Sequence, residues 1–384
     1  MFARTTRVDL FTLFGLIFLI LFVLPVTAAP VPAPPSVAAT GHLLIDFDSG
    51  YVLAENNAEQ RLEPASLTKI MTAYVVMKEI QAGQVTLQDQ VLVSKKAWRT
   101  PGSRMFIEVG KKIALEDLLK GMIIQSGNDA SVALAEHIAG SEETFANLMN
   151  DHARRLGMIN THFVNSTGLP DEQHYTTPRD IARVTRATIR EFPDIYQWYA
   201  TKEFTFNNIK QHNRNKLLWR DDAVDGVKTG HTEAAGFCLV ASAKKDGMRL
   251  ISVVMGTNSE DARASESQSL LNYGFRFFET HRLYGAGEKL ASTRVWKGSQ
   301  EQLRLGLTRD LYITIPRGQY QNLNAGMRIE PKIIAPVSSG QPLGKVNIAL
   351  AGETIVEDDL VALDPIAEGG LLQTAKDTVL LWLE

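Results

Sequence analysis

Apolar positions along the chain follow two different rhythms. Short apolar runs closed by turn residues predict strands over His42–Phe47 and Tyr51–Ala54, with Asp48-Ser49-Gly50 as the hairpin turn between them. A 3.6-residue period then takes over and predicts helices over Ser66–Ile80, Leu115–Ile124, Asn128–Ala139 and Glu143–Leu156. Thr177-Pro178-Arg179-Asp180 reads as a helix start, with a hydroxyl cap, proline at the first helical position and an acid at the third. Strands return at Gly236–Ala243 and Met248–Gly256, on either side of the turn Lys244-Lys245-Asp246-Gly247, and a helix over about Ser265–Thr280 follows, carrying Leu270, Phe277 and His281 on or near one face.

Beyond Arg282 the pattern becomes short runs at intervals of about ten residues, separated by Gly, Pro and Asn. The runs are Lys289–Trp296, Gln302–Leu307, Leu311–Ile315, Met327–Ala335, Gly344–Leu350 and Thr354–Leu363, and together they predict a small β-sandwich. A last helix over Leu371–Glu384 places Leu372, Ala375, Val379 and Trp382 near one face, suited to a membrane surface or to the sandwich.

The N-terminus adds an address. Arg4 and Arg7 precede an apolar run from Leu10 to Leu24, and small residues end at Ala28 and Ala29. That is the layout of a signal peptide over residues 1–29, cleaved after Ala28 or Ala29. The alternative, a permanent anchor, needs about twenty apolar residues where this run has about fifteen. Residues 30–40 form a Pro- and Ala-rich tail. Export with a single cysteine, Cys238, fits the periplasm of a bacterium and excludes an internal disulfide or a thiolate-rich zinc site.

The chain has 384 residues, 45% hydrophobic and 22% charged, which excludes general disorder and supports two or three domains. Forty basic against 43 acidic residues leave no bulk charge for nucleic acid. No second histidine stands at metal-ligand spacing from His137, so no metal is expected; no other cofactor is expected either. His162 and His174 read as structural or surface residues, and Cys238 as a small buried apolar one.

Three short motifs carry candidate chemistry. Ser66-Leu67-Thr68-Lys69 opens a helix, so residues i and i+3 share a face and a Lys amine can take the Ser proton. The spacing recurs at Ser242 and Lys245, where a strand end and a polar turn give it no use, and Ser66 alone would read as a helix cap. Ser126-Gly127-Asn128 lies between two helices and taken alone is a capping turn. Lys228-Thr229-Gly230-His231 lies on a strand-like segment, where a cation and a hydroxyl on an edge strand suit a carboxylate and free N–H groups suit an oxyanion.

In this order the three motifs resemble the penicillin-interacting serine D,D-peptidases. The text around them, Pro64 to Thr72, Gln125 to Ala130 and Asp225 to Thr232, is similar to low-molecular-mass D-alanyl-D-alanine carboxypeptidases of Gram-negative bacteria, as are Phe204-Thr205-Phe206, Asn213-Arg214-Asn215 and Asn272 to Phe278. The resemblance implies an α+β, β-lactamase/transpeptidase-like domain over 41–282, an antiparallel sheet with helices. A β-sandwich over 283–367 and a short amphipathic helix over 368–384 complete the expected architecture.

It also implies removal of the terminal D-Ala from the pentapeptide stem of peptidoglycan, and covalent inhibition by β-lactams. Ser66 would be the acylated nucleophile, Lys69 its base and Ser126 the proton relay to the leaving amine. Asn128 would hold the substrate amide. Lys228, Thr229 and Gly230 would bind near the terminal carboxylate with Arg263, and the N–H groups of Ser66 and His231 would form the oxyanion hole. A Lys base needs a pKa far below about 10.4, and a neighbouring Lys228 charge is the expected cause besides burial; Arg214 suits either the site or a surface pair.

A class A β-lactamase would need a differently placed Glu than Pro170 to His174 offers, and usually has Ser-Asp-Asn where this chain has Gly127. A D,D-endopeptidase uses the same motifs, and a non-catalytic wall-binding protein would leave Ser66, Lys69, Ser126 and Lys228 without purpose. The C-terminal helix carries only Lys376 as a cation against Asp377 and Glu384, so anionic lipid would attract it weakly; peripheral inner-membrane contact is the expectation.

Overall fold

The computed structural model describes residues 31–383; the expected leader lies outside them. A five-stranded antiparallel sheet runs in the spatial order Val52–Asn56, Gly41–Asp46, Met248–Thr257, Gly236–Lys245, Val224–Thr232. The first two strands pair as the expected hairpin, and the last strand forms an edge. Side chains alternate across this sheet. Leu43, Ile45, Ile251 and Val253 enter the large core shared with most of the helices, whereas Leu44 and Leu250 face the opposite way. There Gly274 of the helix Glu260–Phe277 approaches so closely that a Cβ would lie 2.5 Å from the Leu250 side chain.

The helix Thr68–Gln81 is buried on every side over its first ten residues, the mark of a central helix rather than a surface one. Helices Leu115–Gln125, Asn128–Ala139 and Glu142–Arg155 surround the same core within two residues of their expected limits, and Pro178–Glu191 joins them from its expected start. Thr177 caps the last of these, its Oγ1 accepting from Asp180 N at 3.1 Å.

The expected helix over Ser265–Thr280 is shifted. It starts at Glu260, where Ser259 Oγ accepts from Ala262 N, and ends at Phe277. Phe278–Tyr284 is a strand paired with Leu311–Pro316, so His281 is not helical and the expected boundary at Arg282 falls inside a strand. Aromatic and β-branched side chains, together with a partner strand, outweigh a helical period there.

The C-terminal part is built of strands as expected, with a six-stranded sheet and that two-stranded pair; one small apolar cluster joins the two sheets through Leu311, Ile313, Ile315, Val346 and Ile348, and another lies within the six-stranded part. The run Met327–Ala335 is two strands, Leu323–Ile329 and Ile333–Ile334. The helix Leu371–Leu383 follows, and among the described residues no helix is long and apolar enough to cross a membrane.

Candidate active site

Ser66 sits in a single 3-10 turn, Ala65–Leu67, that leads directly into the buried helix Thr68–Gln81. Ala65 holds φ +46°, an uncommon backbone state of the kind that clusters at functional sites. The turn keeps Ser66 and Lys69 on one face, with Lys69 Nζ 3.0 Å from Ser66 Oγ. Lys69 is 1% exposed, and its Nζ also donates to Asn128 Oδ1 at 2.7 Å and to the Thr167 carbonyl at 2.6 Å. In the ammonium form the three protons meet three acceptors. In the neutral form the two carbonyl oxygens hold the two N–H groups, which turns the remaining lone pair toward Ser66.

Burial pulls the Lys69 amine down to about 7, with the Arg214 guanidinium adding to the effect and Asp129 and Glu142 opposing it. Arg214 is thus a neighbouring charge besides the expected Lys228, which itself feels the charge of Lys69. Lys228 itself is 3% exposed and lies well below the ordinary lysine range through burial and the charges of Lys69, Arg214 and Arg263.

Arg214 reaches the pocket because Asn213 and Asn215 anchor the backbone around it. Asn213 Nδ2 donates to the Tyr199 and Thr201 carbonyls, and Asn215 Nδ2 donates to the Gly226 carbonyl at 2.8 Å. It lines the pocket rather than a surface pair.

Ser126 caps Leu115–Gln125 in the left-handed region at φ +70°, and Asn128 opens the next helix. Asn128 Nδ2 donates to the Pro101 carbonyl at 2.6 Å, so its Oδ1 faces Lys69. The residue between them has no room for a side chain: a Cβ on Gly127 would lie 2.9 Å from Asp129 Oδ1 and 3.1 Å from Met105 N. Asp129 is already committed to the amides of Met105, Phe106 and Ile107. An aspartate at 127, as in Ser-Asp-Asn, would meet that carboxylate.

Val224–Thr232 is the edge strand that the Lys-Thr-Gly motif calls for. Gly230 backs against the Ser66 turn, where a Cβ would be 3.3 Å from Ser66 N. Arg263, in the first turn of the shifted helix, donates to the Gly230 carbonyl at 3.0 Å and reaches Glu260 at 3.6 Å. His231 stacks on Phe237 at 4.0 Å between ring centres.

A pocket of 390 Å³ brings these parts together. Ser66, Ser126, Asn128, Thr229, Gly230, His231 and Arg263 line it, with Lys69 and Lys228 buried. Among the described residues no group of three or more His, Cys, Asp or Glu side chains could hold a metal. Cys238 is buried, its thiol pushed up to about 11, and the second Ser-x-x-Lys match is used structurally, Ser242 Oγ accepting from Arg249 at 2.6 Å.

The segment Asn165–Leu169 was missed by motif reasoning. Asn165 Oδ1 accepts from Thr167 N and Gly168 N, which turns the Thr167 carbonyl toward Lys69. Gly168, at φ +81°, has room for no Cβ: one would lie 1.7 Å from the Ala65 carbonyl oxygen. Glu142 Oε1 accepts from Ser166 N and Oγ while Lys96 pairs with Oε2 at 2.8 Å. Behind the motif, His174 Nδ1 accepts from Val164 N, so its Nε2 donates to Thr68 Oγ1 at 2.8 Å; burial holds this imidazole down to about 4. An Asn-Ser-Thr-Gly run is a turn signal in sequence, and nothing in it announces a carbonyl partner for a lysine far away along the chain.

A family model described as "D-alanyl-D-alanine carboxypeptidase" matches residues 28–259, and one described as "Penicillin-binding protein 5, C-terminal domain" matches residues 278–368. The chain is 45% identical over 355 residues to the D-alanyl-D-alanine carboxypeptidase DacC of Escherichia coli, covering 90% of this chain and 89% of that one. It resembles the crystal structure of penicillin binding protein 5 from Haemophilus influenzae, with TM-score 0.85, 41% identity and coverage of 88% and 100%. It also resembles penicillin-binding protein D2 from Listeria monocytogenes in its ampicillin-bound form, with TM-score 0.59, 26% identity and coverage of 64% and 100%.

Proposed function

The chain belongs to the D-alanyl-D-alanine carboxypeptidase family, and from that premise we propose that Ser66 is the residue its substrate acylates, with Lys69 as the base. The family activity is that of a serine peptidase of peptidoglycan stems and a target of β-lactams. One observation carries the assignment: a buried amine at about 7, held by two carbonyl oxygens with its third direction aimed at a serine oxygen.

In this reading Lys69 takes the Ser66 proton as Oγ bonds to the carbonyl carbon of the penultimate D-Ala. The developing oxyanion lies between the N–H groups of Ser66 and His231. Ser126 passes a proton to the leaving amine as the C–N bond breaks, and free D-Ala departs. Asn128 orients the amide, while Lys228, Thr229, Gly230 and Arg263 receive the terminal carboxylate, and water then hydrolyses the ester. Arg214 joins this set through its effect on Lys69. A β-lactam follows the same first step, except that its leaving nitrogen stays tethered.

The β-lactamase and endopeptidase readings gain no support here, and the crowding around Gly127 speaks against a Ser-Asp-Asn variant of the site. The test is release of free D-Ala from a soluble pentapeptide by the wild type and by Ser66→Ala. Release by the wild type alone supports the assignment, and a covalent penicillin adduct on the variant would refute it.

The same reading includes export to the periplasm after cleavage of the leader, and peripheral contact with the inner membrane through Leu371–Leu383. That helix turns its one buried residue, Asp377, toward the β-domain, where Oδ2 accepts from Lys297 N at 2.6 Å. Leu371, Leu372 and Trp382 are 92%, 89% and 88% exposed, and Val379 is exposed with them. An apolar stripe turned to the outside favours a membrane surface over packing on the β-domain.

A further inference from the structure

A second cavity, of 860 Å³, lies at the junction of the two domains and shares no lining residue with the pocket around Ser66. One wall is the hairpin turn Phe47–Tyr51 with Arg186 and Arg190; the other comes from the β-domain, with Arg309 and Tyr312. Hydrogen bonds knit this junction: Ser49 Oγ and Thr314 Oγ1 are 2.6 Å apart, and Thr280 Oγ1 donates to Asp46 Oδ2 at 2.7 Å. The cleft is therefore built from parts whose positions are fixed.

Its charges do not close on one another. Arg186 is clamped by main chain, with Nε donating to the Phe47 carbonyl at 2.5 Å and Nη2 to the Asp48 carbonyl at 2.6 Å. Among the described residues the Arg190 guanidinium makes no hydrogen bond or ion pair; it lies 5.5 Å from the centre of the Phe47 ring. The β-domain answers with another cation, Arg309, paired among the described residues to Asp358 alone, at 3.1 Å. The arginines lining the cleft outnumber the acids Asp48 and Asp310 that line it with them, so an anion between the walls would be attracted from both sides. Burial and the charges of Arg190 and Arg309 hold the Arg186 guanidinium below its ordinary range, although Asp46 and Asp48 oppose them. Asp48 closes no ion pair among the described residues and offers an acceptor to an amide or ammonium group on the same ligand. Tyr51 and Tyr312 add aromatic surface.

We propose that this cleft is a second, non-catalytic subsite for the wall polymer, in which Arg186, Arg190 and Arg309 receive stem-peptide carboxylates and Tyr51 and Tyr312 pack on the flanking peptide or sugar. The inference rests on the function proposed above. A polymer presents many stems, each ending in a carboxylate, so a strand held at Ser66 carries further anions to the rest of the surface. Arginine in a fixed fork suits carboxylate in bidentate geometry.

Two assays on the full chain test it. In the first, Ser66→Ala protein with and without Arg190→Glu/Arg309→Glu is sedimented with purified peptidoglycan sacculi. In the second, active protein with the same pair of changes is assayed for D-Ala release from sacculi and from a soluble pentapeptide. The expected result is about tenfold weaker, salt-sensitive sacculus binding and a matching fall in sacculus turnover. Pentapeptide kcat/KM stays within about twofold, and Arg190→Lys retains most of the binding. Unchanged sacculus binding, or equal loss on both substrates, would overturn the subsite. Failure of the wild type to release D-Ala from pentapeptide would overturn the proposed function instead, while the sedimentation assay still reads the cleft.

Discussion

Lys69 Nζ lies 2.6 Å from the carbonyl oxygen of Thr167, a bond between the first turn of the central helix and a loop 98 residues further along the chain. It makes the chemistry of the Ser66 motif depend on the Asn165–Leu169 turn. With Asn128 Oδ1 taking a second proton, the base is aimed before any substrate arrives.

The first expectation is a pH profile. Lys69 serves as a base only when neutral, and its amine is held at about 7. Acylation by penicillin should therefore fall about tenfold per pH unit on the acid side of that value and level off above it. Arg214 lowers Lys69, so Arg214→Gln should move this limb to higher pH, as stopped-flow acylation between pH 5 and 9 would record. A limb that stays in place would remove Arg214 from the electrostatics of the base. Lys69→Met should abolish acylation yet melt no lower than the wild type at pH 7. The folded chain disfavours the charged amine that the unfolded chain keeps, a cost that fades as pH rises from 7 toward 10.5.

Much of this site was legible in the sequence, for physical reasons that differ by residue. The helical period put Ser66 and Lys69 on one face, but their roles needed the three motifs in order and the family resemblance; Thr177-Pro178 and Ser126-Gly127-Asn128 were visible as caps. Arg214 was ambiguous because a guanidinium says nothing of where a loop carries it; the buried Asn213 and Asn215 on either side decide that, through bonds to distant carbonyls. The contribution of Arg214 to the Lys69 shift was not foreseen because sequence order does not say which cations a loop brings near the amine. Phe278–Tyr284 was misread because its pairing strand begins at Leu311, too far along the chain for any local period to register.

Glu142 tests the support behind the site. Burial alone would raise this carboxyl, but Lys96 and the Ser166 amide and hydroxyl hold it below its ordinary value of 4.5. A depressed carboxylate contributes stability that is complete above that value and is lost as pH falls through the folded one. Glu142→Gln should cost about 1–3 kcal/mol at pH 7 and flatten the fall in Tm between about pH 5 and 3. Thermal melts across that range decide it, and an equally steep fall in the variant would assign the acid sensitivity elsewhere.

Gly168→Ala should be more damaging than its size suggests. The residue sits at φ +81°, and the added carbon would overlap the Ala65 carbonyl, one residue before Ser66. A loss of about 2–4 kcal/mol, read from chemical denaturation, is expected. In the fraction that folds, acylation should drop far more than penicillin binding, because the displaced parts are the turn that presents Ser66 and the carbonyl that aims Lys69.

The C-terminal helix gives the last expectation. Its single buried side chain is Asp377, which also faces Arg294 at 3.4 Å, while Leu371, Leu372, Val379 and Trp382 are exposed. A helix held by Asp377, with Leu380 and Leu381 half-buried on the same side, and exposing Leu371, Leu372, Val379 and Trp382 is arranged to be covered by something else, and the short basic content makes that attraction chiefly hydrophobic. Deleting residues 371–384 should move the mature protein from the membrane to the soluble fraction and leave D-Ala release from soluble pentapeptide unchanged. Leu372→Asp/Trp382→Asp should do the same while retaining the helix. Vesicle binding by the wild type should survive high salt, since only Lys376 is cationic on this segment and Glu301 already lies 3.7 Å from it. Binding that salt abolishes would place the attraction on charge rather than on this stripe.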